Sequence, residues 1–209
     1  MSSIVSIENP DLGFETTIVG SQLEIIGQQG EENIIEVKGD SPITIIGGAL
    51  GDTVMDGAGD ATIFTGDGND MISGGNGDDI LIGGEGEDTI LGGLGADFIS
   101  GGAGNDIIRS GLPGMDSNGN PMGDTLRGGA GEDVFEFTAD EFESGGIDEI
   151  SDFEAGVDKI TIFGVSNGSV NYNQDTGIIS IKGEAAIDVG TDLDIDESKK
   201  GDTDTWELF

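Results

Sequence analysis

The chain has 209 residues, with 40 Gly, 43 Asp plus Glu against 7 Lys plus Arg, neither His nor Cys, and a formal net charge of −36. Acidity on this scale argues against nucleic acid and anionic membrane surfaces as partners, since both attract basic proteins, and it favours cations instead. Without Cys or His there is no disulfide framework, no cysteine- or histidine-bound zinc, and neither a His base nor a Cys nucleophile, so an enzyme is not expected.

The length suits one elongated domain or a repeat array with caps. The opening MSSIVSIENP lacks the basic stretch and apolar run of an ordinary secretory signal. No run of about 18 apolar residues occurs, so no membrane insertion is expected. Across residues 1–46, apolar doublets recur at Ile25-Ile26, Ile34-Ile35 and Ile45-Ile46. They keep nearly the spacing of the segment that follows but lack its Gly and Asp. The expectation is a set of degenerate β rungs capping the N-terminal end without metal, with a separate small β unit as the alternative.

From Gly47 the chain falls into nines: GGALGDTVM, DGAGDATIF, TGDGNDMIS, GGNGDDILI, GGEGEDTIL, GGLGADFIS and GGAGNDIIR, then, after an interruption, GGAGEDVFE at 128–136. The pattern is G-G-x-G-x-D-x-U-x, with U apolar. Its last three positions alternate about one apolar residue, which is a short strand with its middle side chain inward. The inward series is Val54, Ile63, Ile72, Leu81, Ile90, Ile99, Ile108, Leu126 and Phe135. The other six positions form a turn. Its glycines (Gly66, Gly68, Gly75, Gly77, Gly84, Gly86, Gly93, Gly95, Gly102, Gly104) permit positive φ and close backbone approach. A helix is untenable, because each Gly costs about 1 kcal/mol there relative to Ala. Two nines per coil predict an all-β fold, a parallel β-roll (right-handed β-solenoid) over 47–136, in which rungs must stack because none buries its apolar residue alone.

The sixth position carries Asp52, Asp70, Asp79, Asp88, Asp97, Asp106, Asp124 and Asp133, with Ala61 breaking the series. Alternate units place Asp52, Asp70, Asp88 and Asp106 on one edge and Asp79 and Asp97 on the other. Stacked rungs lie about 4.8 Å apart. At that distance two like charges repel by about 1 kcal/mol in water and about 3–4 kcal/mol at an effective dielectric near 20. A column of such contacts rivals the whole stability of a small domain, about 5–15 kcal/mol. A cation must intervene, and several calcium ions fit best: calcium takes six to eight oxygens in loose geometry, whereas magnesium wants a strict octahedron and keeps its waters. Asp as a simple turn former explains one repeat, not eight in register.

The interruption SGLPGMDSNGNPMGDTLR (110–127) has one strand-like ending, Asp124–Arg127. As one unit with a loop insertion at 110–123, it puts Asp124 on Asp97's edge and Asp133 on Asp106's edge. As two units, Asp124 would follow Asp106. The spacing Asp116-x-Asn118-x-Asn120 hints at a separate calcium loop but lacks a twelfth-position Glu. After Phe137 Gly thins out, and 137–209 reads as a C-terminal β cap. Within it Asp148, Asp152 and Asp158 either bind one more ion or belong to a cap in which Ile150, Phe153 and Ile160 cover the last rung. Residues 169–190 alternate as a hairpin, and Trp206 and Phe209 end a short final strand.

The nonapeptides resemble the RTX, or haemolysin-type, calcium-binding repeat over 47–136. The resemblance implies that each ion sits between turns two repeats apart, held by both sixth-position Asp side chains and by main-chain carbonyls. The bridged pairs would then be Asp70 with Asp88, Asp88 with Asp106, and Asp79 with Asp97. Leu50, replacing a glycine, weakens the Asp52–Asp70 match, and Ala61 leaves its pairing with Asp79 weak or empty. The acidic-then-apolar tail 204–209 resembles the uncleaved C-terminal signals of bacterial type I export. The expected function is a secreted, extracellular calcium-binding protein that folds on its metal. The alternative is a calcium-dependent interaction module for a surface layer, a glycan or self-association, presenting an apolar stripe of Phe64, Ile80, Ile82 and Phe98.

Overall fold

The computed structural model describes residues 4–6, 15–19, 22–27, 30, 32–165, 170–173, 175–190, 197–198 and 205–208. Among the described residues the chain alternates between two sheets of 11 strands each. One stacks Ala61–Asp67, Ile80–Glu85, Phe98–Ala103 and Thr125–Ala130 in parallel. The other stacks Thr53–Met55, Met71–Asn76, Thr89–Gly95, Ile107–Met115 and Val134–Thr138. This is the parallel β-roll that the nonapeptides predict. Among the described residues the helical structure is one 3-10 turn, Glu141–Ser144.

The core is two columns of inward side chains. Ile63, Leu81, Ile99 and Leu126 are cross-strand neighbours in one sheet. Val54, Ile72, Ile90, Ile108 and Phe135 are neighbours in the other. All are essentially inaccessible to solvent. Burying one such side chain is worth about 1.5–3 kcal/mol, and here it is realised only when coils stack on both sides.

The same columns run on past the repeats. Upstream, Gln22–Ile26 and Ile43–Gly48 extend one sheet and Ile34–Lys38 the other, with Ile25, Ile35 and Ile45 inward. They are rungs of the roll without the glycine–aspartate turn. Antiparallel strands Glu15–Val19 and Ile4–Ser6 then cover the two sheet edges, the edges at which an open stack would otherwise recruit another chain. Downstream, Asp148–Ile150 sets Ile150 beside Leu126, and Lys159–Phe163 sets Ile160 beside Phe135. Phe153 packs its ring 6.3 Å from that of Phe135. The expected hairpin forms between Val170–Asn173 and Ile178–Ile181, and Glu184–Asp188 adds a third strand. Thr205–Leu208 runs antiparallel to Lys159–Phe163 with Leu208 buried. The side chains of Trp206 and Phe209 lie outside the described residues.

The interruption is one unit carrying a loop, and the loop is shorter than the expected 110–123. Ile107–Met115 stays in register with Thr89–Gly95 as far as Pro113 opposite Gly95. Only then does the chain leave the stack, as a small finger in which Gly114–Met115 pair with Pro121–Met122. Thr125 returns opposite Phe98. Residues 110–113 are therefore ordinary turn positions, because stacking against the previous coil dictates their path.

Candidate metal centre

The consensus turn is shaped by two glycines and closed by one aspartate. In turn 83–88, Gly84 and Gly86 have φ of 135° and 131°, a region that side chains avoid. A Cβ on either would also strike the main-chain carbonyl of Gly66 or Gly68 in the preceding coil. Gly66, Gly68, Gly75, Gly77, Gly93, Gly95, Gly102 and Gly104 repeat this positive φ. These glycines let turns stack at strand spacing with main-chain oxygens against Cα atoms.

The aspartates form two continuous ladders. On one edge, the main-chain N–H groups of Asp52, Asp70, Asp88, Asp106 and Asp133 each donate to Oδ1 of the next acid, ending at Asp158, over 2.6–3.1 Å. On the other edge, Ala61, Asp79, Asp97 and Asp124 donate to the next acid in the same way, ending at Asp148, over 2.7–2.9 Å. Asp124 thus follows Asp97, and Asp133 follows Asp106. The main-chain carbonyl of each acid accepts the N–H that begins the next coil's strand, as Thr89 N to Asp70 O and Ile107 N to Asp88 O, both 2.8 Å.

The second carboxylate oxygen is the chemically decisive atom. Oδ2 of Asp70, Asp79, Asp88, Asp97, Asp106, Asp124 and Asp133 is buried and has no hydrogen-bond partner. An unsatisfied buried polar atom costs about 1–3 kcal/mol, and more if charged. Seven of them weigh against a domain stability of about 5–15 kcal/mol. Burial pushes the carboxyls of Asp79 and Asp88 up to about 7, with the charges of Asp97 and Asp106 adding to it. Asp124, buried and beside Asp148, rises to about 8. Burial likewise lifts Asp97 and Asp133 to about 6.

The Oδ2 atoms of Asp79, Asp88, Asp97, Asp106 and Asp133 each face a space, or cradle, that a Cβ on the turn's first glycine would fill. Above the Cα of Gly83, Asp88 Oδ2 and the Gly101 carbonyl converge. Asp79 Oδ2 and the Gly92 carbonyl do so above Gly74, and Asp97 Oδ2 and the Ser110 carbonyl above Gly92. Among the described residues no three carboxylates gather at one point. The donors at each cradle are one carboxylate oxygen and one main-chain carbonyl of the next coil, hard oxygens of the kind calcium accepts. Position-one glycines were not singled out as candidates above, because what demands them is contact with the fifth residue onward and with the next coil.

The remaining candidates divide. Asp52 differs from its seven counterparts, since its Oδ2 accepts the N–H of Gly48 at 2.8 Å and its Oδ1 accepts both the main-chain and side-chain N–H of Asn33. Asp148 and Asp158 join the ladders through Oδ1, and Ile150, Phe153 and Ile160 pack beneath the last repeat as the cap expectation has it. Asp152 stands apart, paired with Arg127 at 3.1 Å. Asp116 is no open ligand: Asn118 and Asn120 turn their main-chain and side-chain N–H groups onto it, holding its carboxyl down at about 2. Two further groups escaped the sequence reading. Asp60, Asn69, Asp78 and Asn105 at position five form an exposed ladder to main-chain N–H groups of the next coil. Asp56, at position one, is buried with an unpartnered Oδ2.

Residues 46–81, 82–112 and 118–136 match the RTX calcium-binding nonapeptide repeat, in four copies. The roll is therefore an array of that family's repeats, and calcium binding is the property it carries. No curated protein matches the chain.

Two outcomes follow from the cradle. A Gly83→Ala methyl lands between Asp88 Oδ2 and the Gly101 carbonyl. It should weaken calcium binding by about tenfold or more, about 1.4 kcal/mol, by calorimetry. The second concerns pH. The carboxyls of Asp79, Asp88, Asp97, Asp124 and Asp133 sit at about 6 to 8 when folded, against 3.8 as the ordinary value. The metal-free fold thus binds protons that the unfolded chain does not, so its stability is greatest below that ordinary value and is lost as pH rises through the folded values. Circular dichroism of calcium-stripped protein should show β structure at about pH 5.5 and lose it by about pH 8; a gain with rising pH would refute the assignment.

Proposed function

We propose that this chain, its central array built of RTX repeats, is a secreted, non-enzymatic calcium-binding protein whose roll folds as several calcium ions bind between stacked turns. The observation that carries the reading is the file of buried Oδ2 atoms without partners. Ions would be shared between consecutive interior acids of each ladder: Asp70 with Asp88, Asp88 with Asp106, Asp106 with Asp133, Asp79 with Asp97, and Asp97 with Asp124. Calcium neutralises the file, and because it binds the folded ladder and not the open chain, its binding energy becomes folding energy.

Secretion rests on two supports. The tail resembles type I export signals, and extracellular calcium modules bind at about 10⁻⁴ to 10⁻³ M. A chain with that affinity stays unfolded where calcium is scarce and folds where it is abundant. Far-UV circular dichroism at neutral pH should therefore show β structure appearing as calcium is added across that range and vanishing with EGTA. The same β spectrum in excess chelator would overturn the reading.

A second reading, a calcium-dependent interaction module, is favoured by one feature of the outer surface. Phe64 lies beside Ile82, and Ile80 beside Phe98, on the outer face of one sheet. Phe64, Ile80 and Phe98 remain 39%, 42% and 40% exposed, and Ile46 extends the row. Apolar patches held open in this way mark partner surfaces. Sedimentation of the calcium-loaded chain should then reveal self-association that Phe98→Ser abolishes; a monomer at all concentrations counts against self-association.

A further inference from the structure

Turn 56–61 has no sixth-position aspartate, since Ala61 stands there. The stack is kept nonetheless: Ala61 N–H donates to Asp79 Oδ1 at 2.7 Å, as an aspartate N–H does elsewhere. What is missing is the free oxygen. In the same turn, position one holds Asp56 where Gly74, Gly83 and Gly92 hold none of its bulk.

The two departures are spatially one. At Gly74, Gly83, Gly101 and Gly128, a position-one Cβ would land on Oδ2 of that turn's own sixth-position aspartate. In those four turns the first and sixth positions face a single space, whereas turn 65–70 accommodates Thr65 and Asp70 together. With only a methyl at Ala61, turn 56–61 has no sixth-position carboxylate, and its one buried carboxylate is Asp56 at position one. Thr65 demonstrates the reach of a position-one side chain, for its hydroxyl donates across the stack to the Gly83 carbonyl at 3.2 Å. Asp56 lies in register with Gly74, because Met55 pairs with Ser73 and Asp56 N–H donates to Ser73 O.

Asp56 is 9% exposed, and its Oδ2 is buried without a hydrogen-bond partner. Its charge also acts on Asp79, which has an orphaned Oδ2 of its own. We propose that Asp56 supplies the carboxylate that Ala61 lacks, creating a further calcium site between turns 56–61 and 74–79 with Asp79 across the gap. This rests on the calcium reading above and changes one part of it: the first turn of this edge binds metal through position one instead of being empty. Burial raises the Asp56 carboxyl to about 6, as it raises that of Asp79, so the two share a need for a cation.

The test is ion counting on the full chain by native mass spectrometry with calcium, backed by calorimetry, for the wild type, Asp56→Ala, and Asp56→Gly combined with Ala61→Asp. The single variant should bind one ion fewer, and the double variant, which returns the turn to the repeat consensus, should regain it. An Asp56→Ala chain that folds and keeps the wild-type count and affinities overturns the proposal. So does a folded double variant that fails to recover the ion, since the loss would then be a packing defect. If Asp56→Ala does not fold in saturating calcium, Asp56→Asn takes its place: one ion weakened at least about tenfold supports the site, and unchanged affinity overturns it. A wild type that binds no calcium sinks the parent reading instead, so the two failures are distinguishable.

Discussion

One side chain both joins the coils and threatens to separate them. Each sixth-position aspartate spends Oδ1 on the N–H of the coil before it, a charge-assisted bond stronger than an ordinary amide contact. In the interior acids Oδ2 is left buried without a partner, facing a main-chain carbonyl of the next coil at Asp79, Asp88 and Asp97. Hydrogen bonding and repulsion come from the same carboxylate and grow with every coil added. A hard divalent cation resolves the conflict at the free oxygen without disturbing the bonded one.

The ends of the ladder show the same logic in reverse. Asp52, where the first edge begins, has its Oδ2 occupied by Gly48 N–H, and Asp158, where it stops, has its Oδ2 occupied by Glu154 N–H at 2.8 Å. The interior acids have no such donor. Beyond Asp52 the ladder continues to Asn33, which brings donors instead of charge. Protein groups satisfy the terminal carboxylates, and only those between two glycine-rich turns are left for metal. The N-terminal rungs, with their apolar doublets and few acids, can stack without an ion and so give the array a start that calcium need not supply.

Stacking also explains what the roll tolerates. The step between ladder acids is 18 residues in the regular array, 27 across the finger, and 24 or 25 at the C-terminal end. The bonds are the same at every step. A coil needs its inward apolar residue and its acid opposite those of its neighbour; how the chain travels between them is free, which is why a finger can leave at Gly114 and return by Thr125.

The nine-residue period, the inward series from Val54 to Phe135, the two edges and the ladder acids were all legible in the sequence. They are set by local demands repeated at a fixed interval: a strand residue to bury, glycines for positive φ, and an acid at one turn position. The tertiary structure alone decided which carboxylate oxygen is free, why glycine recurs at position one, and that Asp148 and Asp158 prolong the ladders while Asp152 turns to Arg127. Each of these depends on the distance between coils, where atoms about 18 residues apart share one space. A linear pattern gives the order of residues within a turn, and only the stack brings one turn's oxygen over the next turn's backbone.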